Sequence, residues 1–143
     1  MKKLFFMLIV LAATSTVYSQ ASAGESLFVL FPPNSANLRA VGADQAIANL
    51  EAFTQVARLL VNNPQYRLLI DGHANAVINT AREEREMLRP LSLQRAEAAA
   101  AFLAEFFDID QQRLLISGAG GGFPVSRRDG SLNRRVSFYI LAP

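Results

Sequence analysis

The chain of 143 residues offers few side chains of the kinds that do covalent or metal chemistry. It has one histidine, His73, and no cysteine. Asp71 and His73, two apart on an extended segment, project to the same side, so a Ser–His–Asp set can be drawn with Ser92 or Ser35. Neither serine has the G-x-S-x-G turn that presents a nucleophile. His73 is therefore read as ordering a turn at a strand end by hydrogen bonding. A metal site with one His and no Cys would have to be rich in carboxylates, and the sequence has no D-x-D-x-D-G loop. Gly118-Ala119-Gly120-Gly121-Gly122 follows a strand, as a dinucleotide fingerprint would. The third glycine of G-x-G-x-x-G falls at Phe123, and Pro124 stands where a helix should begin. The run reads as a turn needing positive φ. Glu83, Glu84 and Glu86 lie among Arg82, Arg85 and Arg89, the pattern of a solvated helical face. The chain is expected to be no enzyme and to carry no cofactor and no metal.

Arg95 is the residue that breaks a local rule. With Ser92 as helix N-cap, Arg95 is the third helical residue, where a cation opposes the helix dipole at a cost of about 0.3–1 kcal/mol. Two explanations fit. A guanidinium fork beside first-turn amides makes a receptor for a carboxylate. Alternatively, Arg95 pairs with an acid at 83–86. Spacing leaves both open.

The elements that position these residues alternate. Ser26–Phe31 is a buried strand stopped by Pro32-Pro33, and residues 34–42 form a polar loop. Ile47, Leu50, Phe53, Ala57, Leu60 and Val61 recur at helical spacing, with Asp44 as cap and Asn62-Asn63-Pro64 as the end. Tyr66–Asp71 is a strand apolar on both faces. Residues 76–90 are a charged stretch closed by Pro90. A second long helix starts at Ser92 and carries Ala96, Ala99, Leu103, Phe106 and Phe107 on one stripe. Arg113–Ser117 is the third strand. Arg135–Leu141 is the fourth, alternating Val136, Phe138 and Ile140 against Arg135, Ser137 and Tyr139. The fold class expected is α/β, a two-layer α/β sandwich, with βαβ crossovers and a last strand free to enter antiparallel.

The N-terminus explains the charge. Met1-Lys2-Lys3, the apolar run Leu4–Ala13 and Ala21-Ser22-Ala23 have the layout of a cleavable secretory signal peptide over residues 1–23. The run is far too short to span a bilayer. Residues 24–143 then form one domain. Lys2 and Lys3 are the only lysines, so this domain holds 12 arginines against 12 Asp+Glu. With no net charge, the case for nucleic acid fails. No cysteine means no disulfide framework and no lipidated N-terminal Cys.

Four motifs in order carry a resemblance. Leu69-Ile70-Asp71-Gly72-His73-Ala74-Asn75, Leu91-Ser92-Leu93-Gln94-Arg95-Ala96, Gly118-Ala119-Gly120 with Pro124, and Asn133-Arg134-Arg135-Val136 resemble the OmpA-like (OmpA/MotB C-terminal) domain, whose motifs read I-x-G-H-T-D, L-S-x-x-R-A, G-x-G with a Pro, and N-R-R-V. Phe31 to Leu38 is similar to the family's first strand and loop. The resemblance spans about residues 26–141. It implies a βαβαββ fold with a mixed four-stranded sheet in the order 1-4-2-3 and an antiparallel last strand. It also implies noncovalent binding of peptidoglycan in the periplasm. In the family the acid of G-H-T-D meets the ammonium of the stem peptide's diamino acid, and the Arg of L-S-x-x-R-A meets its carboxylate. The wall-binding set implied here is Phe31, His73, Asn75, Leu91, Ser92, Arg95 and Arg134. Two departures matter. Asn75 stands where the family has its acid, which weakens or retunes binding. Residues 76–90 are about five longer than the family's segment and are placed to cover the pocket. The implied location is the periplasm, associated with the cell wall or outer membrane. The implied partners are the stem peptide and a separate periplasmic or outer-membrane protein, with no membrane span after leader cleavage. The alternative is an OmpA-like fold that has lost wall binding and serves as a protein-interaction module.

Overall fold

A computed structural model describes residues 27–76 and 80–143. The leader of residues 1–23 lies outside the described residues. Four strands and two long helices build the fold: β1 (Leu27–Leu30), α1 (Ala43–Asn62), β2 (Arg67–Gly72), α2 (Arg89–Phe107), β3 (Leu114–Gly118) and β4 (Arg135–Leu141). The sheet order is β1-β4-β2-β3. β2 and β3 are parallel, and β4 runs antiparallel to both β1 and β2. This is the mixed α+β sheet expected, with the last strand inserted centrally.

Alternation along the strands sorts the two faces. Val29, Leu68, Ile70, Val136 and Phe138 point to the helices and are buried. Each contributes roughly 1.5–3 kcal/mol relative to exposure. Phe53 of α1 bridges the layers, its ring 4.4 Å from Phe102 and 5.6 Å from Phe138.

α1 differs from its expected outline in two ways. Gly42, in extended conformation, is the N-cap, and Asp44 is the second helical residue, where its carboxylate still suits the dipole. The buried face is Asn49, Ala52, Phe53, Val56, Ala57 and Leu60. Ile47, Leu50 and Val61 are more than half exposed; they flank that face where no third layer covers the helices. At the other end, Asn63 Nδ2 donates to Leu59 O at 2.8 Å. Arg113 donates to the carbonyls of Tyr66, Leu60 and Asn63. Both side chains satisfy carbonyls that a helix end leaves free.

The second helix corrects a larger expectation. Thr80 Oγ1 accepts from Glu83 N at 3.1 Å and caps a turn, Ala81–Glu83. A π turn, Glu84–Leu88, follows, and α2 continues directly to Phe107. Pro90 does not close the charged stretch. It sits in the first turn of α2, where the wide π turn before it relieves the crowding of the ring against the preceding carbonyls. Ser92 is therefore no N-cap. The helix ends at Asp108, left-handed at φ 54°, whose N–H returns to Leu103 O.

α2 packs closely on β2 through small residues, Ala96, Ala99 and Ala100. A Cβ at Gly72 would collide with the Ser92 backbone carbonyl. Glycine at that position of the strand fixes how near the helix lies.

Candidate functional site

The motif residues converge at one end of the sheet, where the loop after β1, the end of β2, the second turn of α2, the glycine-rich loop after β3 and the start of β4 meet. Their hydrogen bonds show how. Phe31 N donates to Arg134 O at 2.7 Å, His73 N to Arg135 O at 2.8 Å, Ala74 N to Gly120 O at 2.8 Å and Ala119 N to Gly72 O at 2.8 Å.

Arg95 is at the centre, and it is 0% exposed. Nε donates to Ser35 O at 3.0 Å, Nη1 to His73 O at 2.8 Å and Nη2 to Pro32 O at 3.0 Å. The guanidinium lies 5.6 Å from the centre of the buried Phe31 ring, a cation–π distance. Burial first, then the charge of Arg134, lowers its pKa to about 10, so it is still protonated at neutral pH. Among the described residues it has no ion pair. Three carbonyl dipoles and an aromatic face stand in for a counter-ion.

Both sequence explanations of Arg95 thus require correction. It does not pair with Glu83, Glu84 or Glu86. Nor does it stand in an open hollow beside free first-turn amides, because the helix runs unbroken from residue 81 and those amides belong to its ladder. The supposed conflict with the dipole disappears for the same reason. Each of its three nitrogens donates to a carbonyl of its own chain.

The other six residues divide by exposure. Phe31, His73 and Ser92 are buried, whereas Asn75, Leu91 and Arg134 are partly exposed. Ser92 Oγ donates to Arg89 O and accepts from Gly120 N at 2.9 Å, tying α2 to the glycine loop. Gly120 has φ 65°, the positive value expected of that turn. Arg134 Nε reaches Phe31 O at 3.3 Å.

His73 orders the strand end through its backbone, not its ring. Nε2 lies 3.3 Å from Asp71 Oδ2 on the same side of β2, as the spacing predicts. Burial, then Arg135, lowers its pKa, with Asp71 opposing, so the ring is neutral. Arg135 is buried on this face, donating to Ser137 Oγ at 3.1 Å. Ser35 offers its backbone carbonyl to Arg95, and Ser92 serves the glycine loop, so neither completes a triad.

Two residues given other places in the sequence reading shape the site: Asn133, only a letter of the fourth motif, and Glu84, read as part of a solvated face. Asn133 Oδ1 accepts from Val125 N and Ser126 N, while its Nδ2 donates to Ser126 O and to Asn75 Oδ1. Glu84 accepts from Gly121 N with both oxygens, at 3.2 and 3.1 Å. The charged segment therefore clamps the glycine loop. Arg82 and Glu86 form the exposed i,i+4 pair expected of a solvated face, at 3.0 Å. A groove of about 440 Å³ between the helices, lined by Leu50, Phe102 and Phe106 among others, contains none of the seven residues. No group of His, Cys, Asp and Glu suited to a metal ion occurs among the described residues.

Comparison with known proteins agrees with this architecture. The profile of the OmpA family matches residues 30–136. No curated protein matches. Among solved structures, the peptidoglycan-associated lipoprotein from Burkholderia pseudomallei aligns with a TM-score of 0.62 and 21% identity, over 82% of this chain and 91% of that one. The C-terminal domain of Helicobacter pylori MotB aligns with a TM-score of 0.61 and 16% identity, over 84% and 88%. The OmpA-like domain of FopA1 from Francisella tularensis aligns with a TM-score of 0.64 and 18% identity, over 81% and 71%. At these identities the solved structures speak for the fold.

Proposed function

Because the chain belongs to the OmpA family, we propose that it is a noncovalent peptidoglycan-binding module of the periplasm that recognises the diamino-acid stem peptide. One similar structure is named for its association with peptidoglycan. The observation that carries the reading is Arg95, a protonated guanidinium held in the protein with no carboxylate partner among the described residues. A buried cation without a counter-ion favours an arriving anion. In this structure the approach is closed by the Pro32 and Ser35 carbonyls. Arg134 and Asn75, partly exposed beside it, are the polar groups a ligand meets first. A stem carboxylate engages Arg134 at once, and reaches Arg95 only when the loop of residues 32–35 yields.

Co-sedimentation with purified sacculi is the test. The exported protein should pellet with them and be released by free stem peptide. Titration with peptides bearing diaminopimelate, lysine or ornithine then identifies the diamino acid. Protein remaining in the supernatant overturns the reading.

A second reading has specific support. Asn75 replaces the family's acid and Arg95 is sealed by its own chain, which fits a fold retained as a protein-interaction module. No sacculus binding, together with one reproducible partner in periplasmic crosslinking, would establish it.

A further inference from the structure

The two edges of the sheet are treated differently. At the β1 edge, Asn49 of α1 satisfies both outward backbone groups of Leu30. Leu30 N donates to Asn49 Oδ1 and Asn49 Nδ2 donates to Leu30 O, each at 2.9 Å. A side-chain amide thus imitates a neighbouring strand at Leu30, and of β1 only Phe28 still turns its backbone groups outward. No such plug exists at β3 among the described residues.

The geometry of β3 states what it lacks. Ala119 N–H bonds to Gly72 O, so by alternation residues 117 and 119 turn their backbone groups to β2, and Leu114, Ile116 and Gly118 turn theirs outward. Leu114 N–H is used by Gln111 O. Leu114 C=O, both groups of Ile116, and Gly118 N–H have no partner among the described residues. Edges are usually protected by charge, proline or a bulge. Leu114-Leu115-Ile116-Ser117-Gly118 has no charge and no proline, and it pairs with β2 in unbroken register. Arg113, just before the strand, is turned to the end of α1. Ile116 is 43% exposed on the helix face, beside a groove formed with Ala100, Ala101 and Glu97 of α2.

We propose that the β3 edge pairs antiparallel with the β3 edge of a second copy of this chain, joining two four-stranded sheets into one about a twofold axis at Ile116. The strand is self-complementary in that register. Ile116 faces Ile116 of the other copy and exchanges two hydrogen bonds. Each Gly118 N–H meets the opposing Leu114 C=O, adding two more. Neither strand carries a charge, so no like charges oppose along the paired strands themselves. Bulk at residue 118 is absent where the opposing Leu114 arrives, and a Cβ there would press on Leu93 N at 2.9 Å. An edge of five residues covers less than the ~800 Å² per partner of a stable interface, so the dimer is weak and concentration-dependent. It places two candidate sites on one body, which raises avidity for a repeating lattice, but the pairing stands independently of wall binding.

Sedimentation velocity of the protein should show a sedimentation coefficient that rises with concentration. Ile116→Lys, which sets two ammonium groups against each other, should remain monomeric with an unchanged circular dichroism spectrum. The chain has no cysteine, so Ile116→Cys introduces one thiol; a short bis-maleimide should link it into dimers, whereas Glu51→Cys on exposed α1 should not link. A wild type that stays monomeric throughout, an Ile116→Lys protein that dimerises as the wild type does, or equal crosslinking at 51 and 116 overturns the proposal.

Discussion

Asn133 Nδ2 donates to Asn75 Oδ1 at 3.0 Å, and this bond fixes the orientation of both amides. Asn133 Oδ1 must face the N–H groups of Val125 and Ser126, so its nitrogen faces Asn75, and Asn75 must answer with oxygen. One lone pair of the Asn75 carbonyl is therefore occupied, and its NH₂ group is left to donate. A neutral amide in this state is a poor receptor for an ammonium.

Asn75→Asp should reverse that. The carboxylate keeps the Asn133 bond and adds the missing charge. Charged hydrogen bonds are worth about 1.5–3 kcal/mol against about 0.5–1.5 for neutral ones, so binding to sacculi should tighten by roughly tenfold. Co-sedimentation at a fixed ionic strength measures it. Unchanged retention would mean that no ammonium sits at this position.

Arg95→Met separates folding from binding. The substitution keeps much of the volume but leaves the Pro32, Ser35 and His73 carbonyls without their donor. Each orphaned acceptor costs on the order of 1 kcal/mol or more, so urea unfolding should show a loss of about 3 kcal/mol or more with the slope preserved. Arg95→Lys should fall between, since one ammonium cannot span three carbonyls. A wild-type midpoint for Arg95→Met would show that the clamp contributes nothing.

Arg134→Gln is the complementary variant. Its side chain is partly exposed, and its guanidinium donates to Phe31 O at 3.3 Å. Stability should change by about 1 kcal/mol or less, while retention on sacculi should fall several-fold. Equal retention would remove Arg134 from the binding surface.

How much of this was legible in the sequence follows from the range of the interactions. Element order and the shared side of Asp71 and His73 came from local alternation, and the central antiparallel β4 came from the resemblance to OmpA-like domains. The turn at Gly120 came from a glycine run that needs a positive φ. What failed was longer in range. Arg95 binds carbonyls 22, 60 and 63 residues away, and backbone acceptors leave no residue-type signal. Asn49 satisfying both outward groups of Leu30 is hidden likewise. The continuous helix through Pro90 was missed because proline reads as a stop, and only the π turn before it makes the continuation possible.

His73 gives a prediction in pH. It is the only histidine, so one imidazole resonance reports it. Burial, then Arg135, lowers its folded pKa below the ordinary value of 6.5, and Asp71 offsets part of this. Above pH 6.5 the ring is neutral in both folded and unfolded states, and the histidine adds no slope. As pH falls below 6.5 the unfolded chain takes a proton that the folded protein does not. Unfolding is then favoured, and stability declines until pH reaches the folded pKa. His73→Gln removes this proton uptake. Between pH 7 and 5 the wild type should therefore lose more stability than His73→Gln, and carboxylates common to both cancel in the difference. Chemical denaturation at several pH values provides the comparison, and parallel curves for the two proteins would show that His73 titrates as it does in the unfolded chain.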